Sequence, residues 1–172
     1  LGKTIVIKHV RSHERLLDNT TLFLHCDITK LSELQQQMLQ KLYESEDILF
    51  GQKVLIVDDD VRNIFALSSI LERHHMQVLT ANNGRDAINL LERTDDLAIV
   101  LMDIMMPEMD GYETIRQIRA QPKFNLLPII ALTAKAMKGD REKCLEAGAS
   151  EYVAKPVNNQ QLVALVRTWL HR

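Results

Sequence analysis

From Lys53 onward, short apolar runs alternate with stretches whose apolar positions recur every three or four residues. Residues 54–57, 77–81, 97–102, 128–132 and 152–154 read as strands. Residues 62–74, 85–93, 138–147 and 159–170 read as helices, and another begins near Asp110, where Asp110-x-x-Glu113 matches a capping box. Ile99–Met102 is apolar at every position, as suits a parallel strand covered on both faces. Five strand–helix units in succession predict an α/β fold with a doubly wound, five-stranded parallel sheet. Right-handed crossovers would place helices on both of its faces.

Residues 1–52 follow a different pattern. Ile5-Val6-Ile7 resembles a short strand ending at Lys8, and Ser12 opens a loose helical pattern through Leu16, Leu17, Phe23 and Leu24. The stretch 27–52 is polar and Gln-rich, with Leu31, Leu34, Met38 and Leu42 on one helical stripe, and Gly51 closes it. Two heptads are too few for a coiled coil, so it reads as a connector helix. An echo links the two ends of the chain: residues 5–10, IVIKHV, align with residues 152–157, YVAKPV. Leu16-Leu17 and Phe23-Leu24-His25 then align with Leu162-Val163 and Trp169-Leu170-His171. The division this predicts is a strand-and-helix remnant of a second copy over 1–26, a connector over 27–52, and the main domain over 53–172.

Composition narrows the classes. The 172 residues are 46% hydrophobic, enough for one good core, and the net charge of −2 implies no pull toward nucleic acid or anionic lipid. Cys26 and Cys144 have no metal-ligand spacing and read as reduced thiols. No run approaches the roughly 18 apolar residues of a membrane span, so no membrane contact and a cytoplasmic location are expected. The start, LGKTIVIKHV, lacks an initiator Met and reads as a cut inside a longer protein.

The candidate chemistry lies at strand ends. Asp58-Asp59-Asp60, Asp103, Thr133 and Lys155 end four predicted strands or begin the loops after them. In a doubly wound sheet those ends share one edge, where sites form. Clustered carboxylates repel unless a cation joins them, and oxygen-only ligands select a hard ion such as Mg²⁺. A Lys can pair with a phosphoryl oxygen, the Thr133 hydroxyl can donate to another, and a carboxylate so placed can become an aspartyl phosphate. Taken singly, each residue reads more readily as a turn, cap or surface residue; the combination on four strand ends makes the case.

The runs VLIVDDD (54–60), VLMDIMMPEMDG (100–111), PIIALTA (128–134) and EYVAKP (151–156) resemble the receiver domain of two-component response regulators and hybrid histidine kinases. The resemblance implies a flavodoxin-like sheet of order 2-1-3-4-5, with Asp103 as phosphoacceptor. It implies Mg²⁺, replaceable by Mn²⁺, bound directly by Asp59 and Asp103, by Asp58 mainly through water, and by the Met105 backbone carbonyl. Lys155 would pair with the phosphoryl group across a cis Lys155–Pro156 bond, and Thr133 and Tyr152 would form the switch pair. Met105 and Lys135, flanking the path of an attacking water, predict slow hydrolysis of the phosphate. The implied partners are a histidine kinase domain or a histidine phosphotransfer domain, with a dimer through the last two strand–helix units as a further expectation. The parent would be a hybrid histidine kinase, and the module itself would catalyse only its own phosphorylation and slow dephosphorylation. In residues 1–26 Lys8 stands where Lys155 does, but His9 replaces the proline, so that copy would be inert.

Competing readings come from the same residues. Leu55-Ile56-Val57-Asp58-Asp59-Asp60 resembles the haloacid-dehalogenase phosphatase motif, which would make Asp58 the nucleophile and Asp103 a metal ligand. A phosphorylation-independent interaction module on the same fold is the third. Ser12-His13-Glu14 starts like a histidine-kinase phosphoacceptor box, but Arg15-Leu16-Leu17-Asp18 does not continue it. His74-His75 reads as a surface or capping pair.

Overall fold

The computed structural model describes residues 48–134 and 139–171. The strand and helix expected within 1–26, His13, Cys26, most of the connector and Lys135 lie outside the described residues.

The described chain runs β1 (Lys53–Val57), α1 (Val61–Glu72), β2 (Gln77–Ala81), α2 (Gly84–Arg93), β3 (Leu97–Asp103) and α3 (Gly111–Arg119). A 3-10 turn (Pro122–Phe124), β4 (Ile129–Thr133), α4 (Asp140–Ala147), β5 (Glu151–Ala154) and α5 (Asn159–Leu170) follow. The strands form one sheet in the order β2-β1-β3-β4-β5, every pairing parallel, as expected. Val54–Val57, Ile99–Met102 and all of β4 are buried because helices cover both faces of the three inner strands. β2, at one edge, buries only Ala81. Leu55, Val57, Val100 and Met102 pack with Ala87, Leu91, Ile115, Ile118 and Cys144 in one core layer, under α2, α3 and α4. The reversal between β1→β2 and β2→β3 puts α1 on the opposite face, where it buries Ile64, Leu67 and Leu71. No helix among the described residues is long and apolar enough to cross a membrane.

Asx caps set most helix starts. Asp60, Asn83, Asp110 and Asn158 each accept a backbone N–H from the first turn of α1, α2, α3 and α5. At α3 only half of the predicted capping box forms. Asp110 Oδ1 accepts the Glu113 N–H at 2.8 Å, but Glu113 turns its carboxylate to Gln117 Nε2, 2.9 Å away. Helix α1 stops at Glu72, short of the predicted His74, because His75 takes a left-handed φ of 58° in the turn to β2. Residues 48–51 also form a turn, with Leu49 buried and Gly51 at a φ of 72°.

Candidate functional site

Register carries the chemistry to one edge. Val57 pairs with Met102, Asp103 with Leu132, and Thr133 with Ala154, so the ends of β1, β3, β4 and β5 finish level. Asp58 is fully buried just past β1. Its Oδ1 accepts the Asp60 N–H at 2.9 Å and the Asn63 side-chain amide at 3.0 Å, and its Oδ2 accepts from Lys155 Nζ at 2.7 Å. Asp103, 3% exposed, ends β3. Its Oδ1 accepts the Met105 N–H at 3.2 Å, and its Oδ2 lies 3.1 Å from the same Lys155 ammonium. Asp59 is exposed, and one oxygen from each of Asp58, Asp59 and Asp103 lies within 4.8 Å of the others.

The electrostatics follow from burial. Loss of solvent raises the Asp103 carboxyl above its ordinary value, with Lys155 and the Met105 N–H only partly opposing it. Burial pulls the Lys155 ammonium down, yet its bonds to Asp58 and Asp103 outweigh that and leave it raised. With the three carboxylates ionised, the one ammonium paired with them among the described residues leaves two negative charges. An all-oxygen donor set carrying that charge fits a hard divalent cation.

Two backbone features shape the cleft. A Cβ on Gly111 would collide with the Asp103 carbonyl oxygen and come within 2.7 Å of Ile104 Cα, so only glycine lets α3 start directly against the strand end. The Lys155–Pro156 bond is cis. The Lys155 N–H donates to the Thr133 carbonyl at 2.7 Å, tying the ends of β4 and β5 together.

Of the residues singled out in the sequence, Asp58, Asp59, Asp103 and Lys155 converge. Thr133 is buried at the end of β4 on the same edge, and the half-buried Tyr152 on β5 packs against the core. Met105 is exposed at the mouth. Asp60 does not join the cluster. It caps α1 and faces Arg62, whose guanidinium grips it at 2.6 Å and holds its carboxyl down at about 2. Sequence reasoning missed Asn63. The available signal was the cap: with Asp60 at the helix start, Asn63 falls in the first turn, facing back over the end of β1.

Residues 54–167 match the model of the response regulator receiver domain family. The chain is 39% identical over 120 residues to the transcriptional regulatory protein CpxR homolog of Haemophilus influenzae, covering 70% of this chain and 51% of that protein. It is 38% identical over 131 residues to the sensor histidine kinase GacS of Pseudomonas protegens, covering 73% of this chain and 14% of that protein. It thus spans about half of the first relative's length and a small part of the second's. The receiver domain of a Pseudomonas aeruginosa sensor histidine kinase has a magnesium ion coordinated in its active-site cleft. That structure superposes with a TM-score of 0.66 at 38% identity, over 71% of this chain and 99% of that one. The receiver domain of Saccharomyces cerevisiae Ssk1, solved with the histidine phosphotransfer protein Ypd1, gives 0.65 at 33% identity, over 69% of this chain and 88% of that one. The chain belongs to the response regulator receiver domain family, the phosphoacceptor module of two-component signalling.

Proposed function

We infer that Asp103 accepts a phosphoryl group from a phosphohistidine and that the chain relays it or changes its partner surface. The observation that carries this is Lys155 Nζ bridging Asp58 at 2.7 Å and Asp103 at 3.1 Å, beside three carboxylates within 4.8 Å of one another. Asp59, Asp103 and the Met105 carbonyl would hold Mg²⁺ or Mn²⁺, and Asp58, which already accepts three donors from Asp60, Asn63 and Lys155, would act through water. When bound, the cation offsets negative charge on the phosphoryl oxygens. An Asp103 oxygen bonds to phosphorus as the P–N bond to the donor imidazole, protonated at its other ring nitrogen, breaks, leaving an acyl phosphate and a neutral histidine. The Lys155 ammonium pairs with one phosphoryl oxygen, and the Thr133 hydroxyl donates to another. The Tyr152 ring then turns inward, so the change reaches the face built from β4, α4, β5 and α5. Asp58 is the poorer nucleophile of the two, since it has no exposed surface and accepts three donors, each closer than either of the two on Asp103.

The donor docks beside the cleft. Val61 and Phe65 are 67% and 73% exposed, four residues apart on α1 and directly after the acidic loop, and Met105 is 51% exposed at the mouth. Such an apolar rim suits a helical phosphohistidine domain, in line with the Ypd1 complex of the related Ssk1 receiver. The parent protein is a hybrid sensor kinase, in line with the match to GacS. Met105 and Lys135 offer no carboxylate or amide to orient water, so the acyl phosphate is long-lived; a half-life of seconds would count against this. The test is transfer from a phosphohistidine-loaded phosphotransfer protein. Transfer should require Mg²⁺ and fall sharply in Phe65→Asp, while labelling of that variant by acetyl phosphate stays near wild type. Equal loss from both donors would remove the docking assignment, and no transfer to wild type with or without Mg²⁺ would remove the phosphorelay reading.

A further inference from the structure

We propose that Asn63 is a positioning residue of the metal and phosphoryl site, its side-chain amide fixing Asp58 Oδ1 so that the carboxylate stays aimed into the cleft. This rests on the reading of Asp58, Asp59 and Asp103 as the metal-binding set.

Asp58 is the one member of that set with no exposed surface, and it needs a donor for each lone pair it cannot show to water. The Asp60 N–H reaches Oδ1 at 2.9 Å from inside the same loop and can hold the carboxylate only from the backbone side. Asn63 reaches the same oxygen at 3.0 Å from the first turn of α1. The two donors reach Oδ1 from the loop and from the helix, and together with Lys155 on Oδ2 at 2.7 Å they hold both oxygens of the carboxylate. Asn63 is free for this role because its own N–H is satisfied by the Asp60 carbonyl at 3.0 Å. The helix does not need its amide either, since Asp60 Oδ1 already accepts the Arg62 N–H at 2.9 Å. The chain therefore spends a polar side chain of the first turn on a buried carboxylate rather than on its own helix.

A partner that orients a metal-site carboxylate commonly matters to affinity nearly as much as a ligand, and its loss typically costs about tenfold or more in metal binding. Without the amide, Asp58 Oδ1 keeps a single donor and the carboxylate can rotate about it. Water that Asp58 would share with a bound cation would then lose its fixed acceptor. Lys155 keeps its second partner, Asp103 Oδ2 at 3.1 Å, and so stays at the acceptor. Asn63 touches neither the phosphoryl group nor the acceptor Asp103, so its effect should pass through metal affinity and not through the chemical step.

The test is Mg²⁺ titration of the full chain by calorimetry and amide chemical shifts, for wild type, Asn63→Ala and Asn63→Leu. The leucine fills the volume of the amide and favours helix, so folding does not hinge on the lost bond. Both variants should bind Mg²⁺ about tenfold more weakly. Acetyl phosphate labelling should be slow at limiting Mg²⁺ and recover to near the wild-type rate at saturating Mg²⁺. Folded variants that bind Mg²⁺ within about twofold of wild type would overturn the proposal and leave Asn63 a residue of the helix start. A labelling deficit undiminished at saturating Mg²⁺ would overturn it as well. Failure of wild type to take up Mg²⁺ would instead overturn the reading of the carboxylate set, so the two failures are distinct.

Discussion

At the amino edge of the sheet the chain closes on itself through neutral partners. The Gly51 N–H donates to the His75 carbonyl at 2.9 Å, the Gln77 N–H to the Gln52 carbonyl at 2.8 Å, and the Ser150 N–H to the Ile129 carbonyl at 2.8 Å. Even the cations there meet carbonyls: Lys53 gives Nζ to Asp95 at 3.1 Å, and Arg119 gives Nε to Gly148 at 2.8 Å and Nη1 to Phe124 at 2.6 Å. At the carboxyl edge Asp58 and Asp103 are both buried, and among the described residues Lys155 is the one cation that pairs with them. The same strands thus end in satisfied backbone on one side and in surplus buried charge on the other. Burying charge that is only partly compensated costs stability. Under the proposed function, that deficit is what a cation and a phosphoryl group would fill.

Breaking the amino edge should therefore damage the fold and spare the chemistry. Leu49→Ala removes a fully buried side chain there and should lower unfolding free energy by about 3 kcal/mol, measured in urea. The folded fraction should accept phosphate from acetyl phosphate at the wild-type rate; a slower rate would blur the distinction between the edges. Gly111→Ala strikes the carboxyl edge, where the new methyl meets the Asp103 carbonyl. It should cost about 2 kcal/mol, and labelling should slow as well because the strand end that carries Asp103 must shift.

The smallest effect is a gain. Burial raises the Asp103 carboxyl, so ionising it in the folded state is harder than in the unfolded chain. A raised carboxyl subtracts stability in full above its folded value, and the penalty fades as pH falls from there to the unfolded value. In EDTA at neutral pH, Asp103→Asn should be more stable than wild type, with the advantage shrinking in acid. A variant less stable than wild type at neutral pH would mean that the ion pair with Lys155 outweighs burial.

The inner strands were legible because they are apolar on both faces, and β2 and α5 have the predicted bounds. The strand-end residues were legible for the same reason: a polar residue closing an apolar run is conspicuous, as at Asp58, Asp103 and Thr133. Asn63 was not, since one polar residue in an amphipathic helix carries no signal of what its amide touches. Nor could spacing show that Asp60 would turn outward to Arg62, or that α1 would end two residues early at a left-handed His75. Those outcomes depend on tertiary partners and on local turn geometry.

The most direct test is the intact mass of the chain after acetyl phosphate and Mg²⁺, compared for wild type, Asp103→Asn and Asp58→Asn. A single phosphoryl adduct should form on wild type, vanish in Asp103→Asn, and form slowly in Asp58→Asn, whose acceptor is intact. An adduct that survives Asp103→Asn and disappears in Asp58→Asn would contradict the account and make Asp58 the nucleophile.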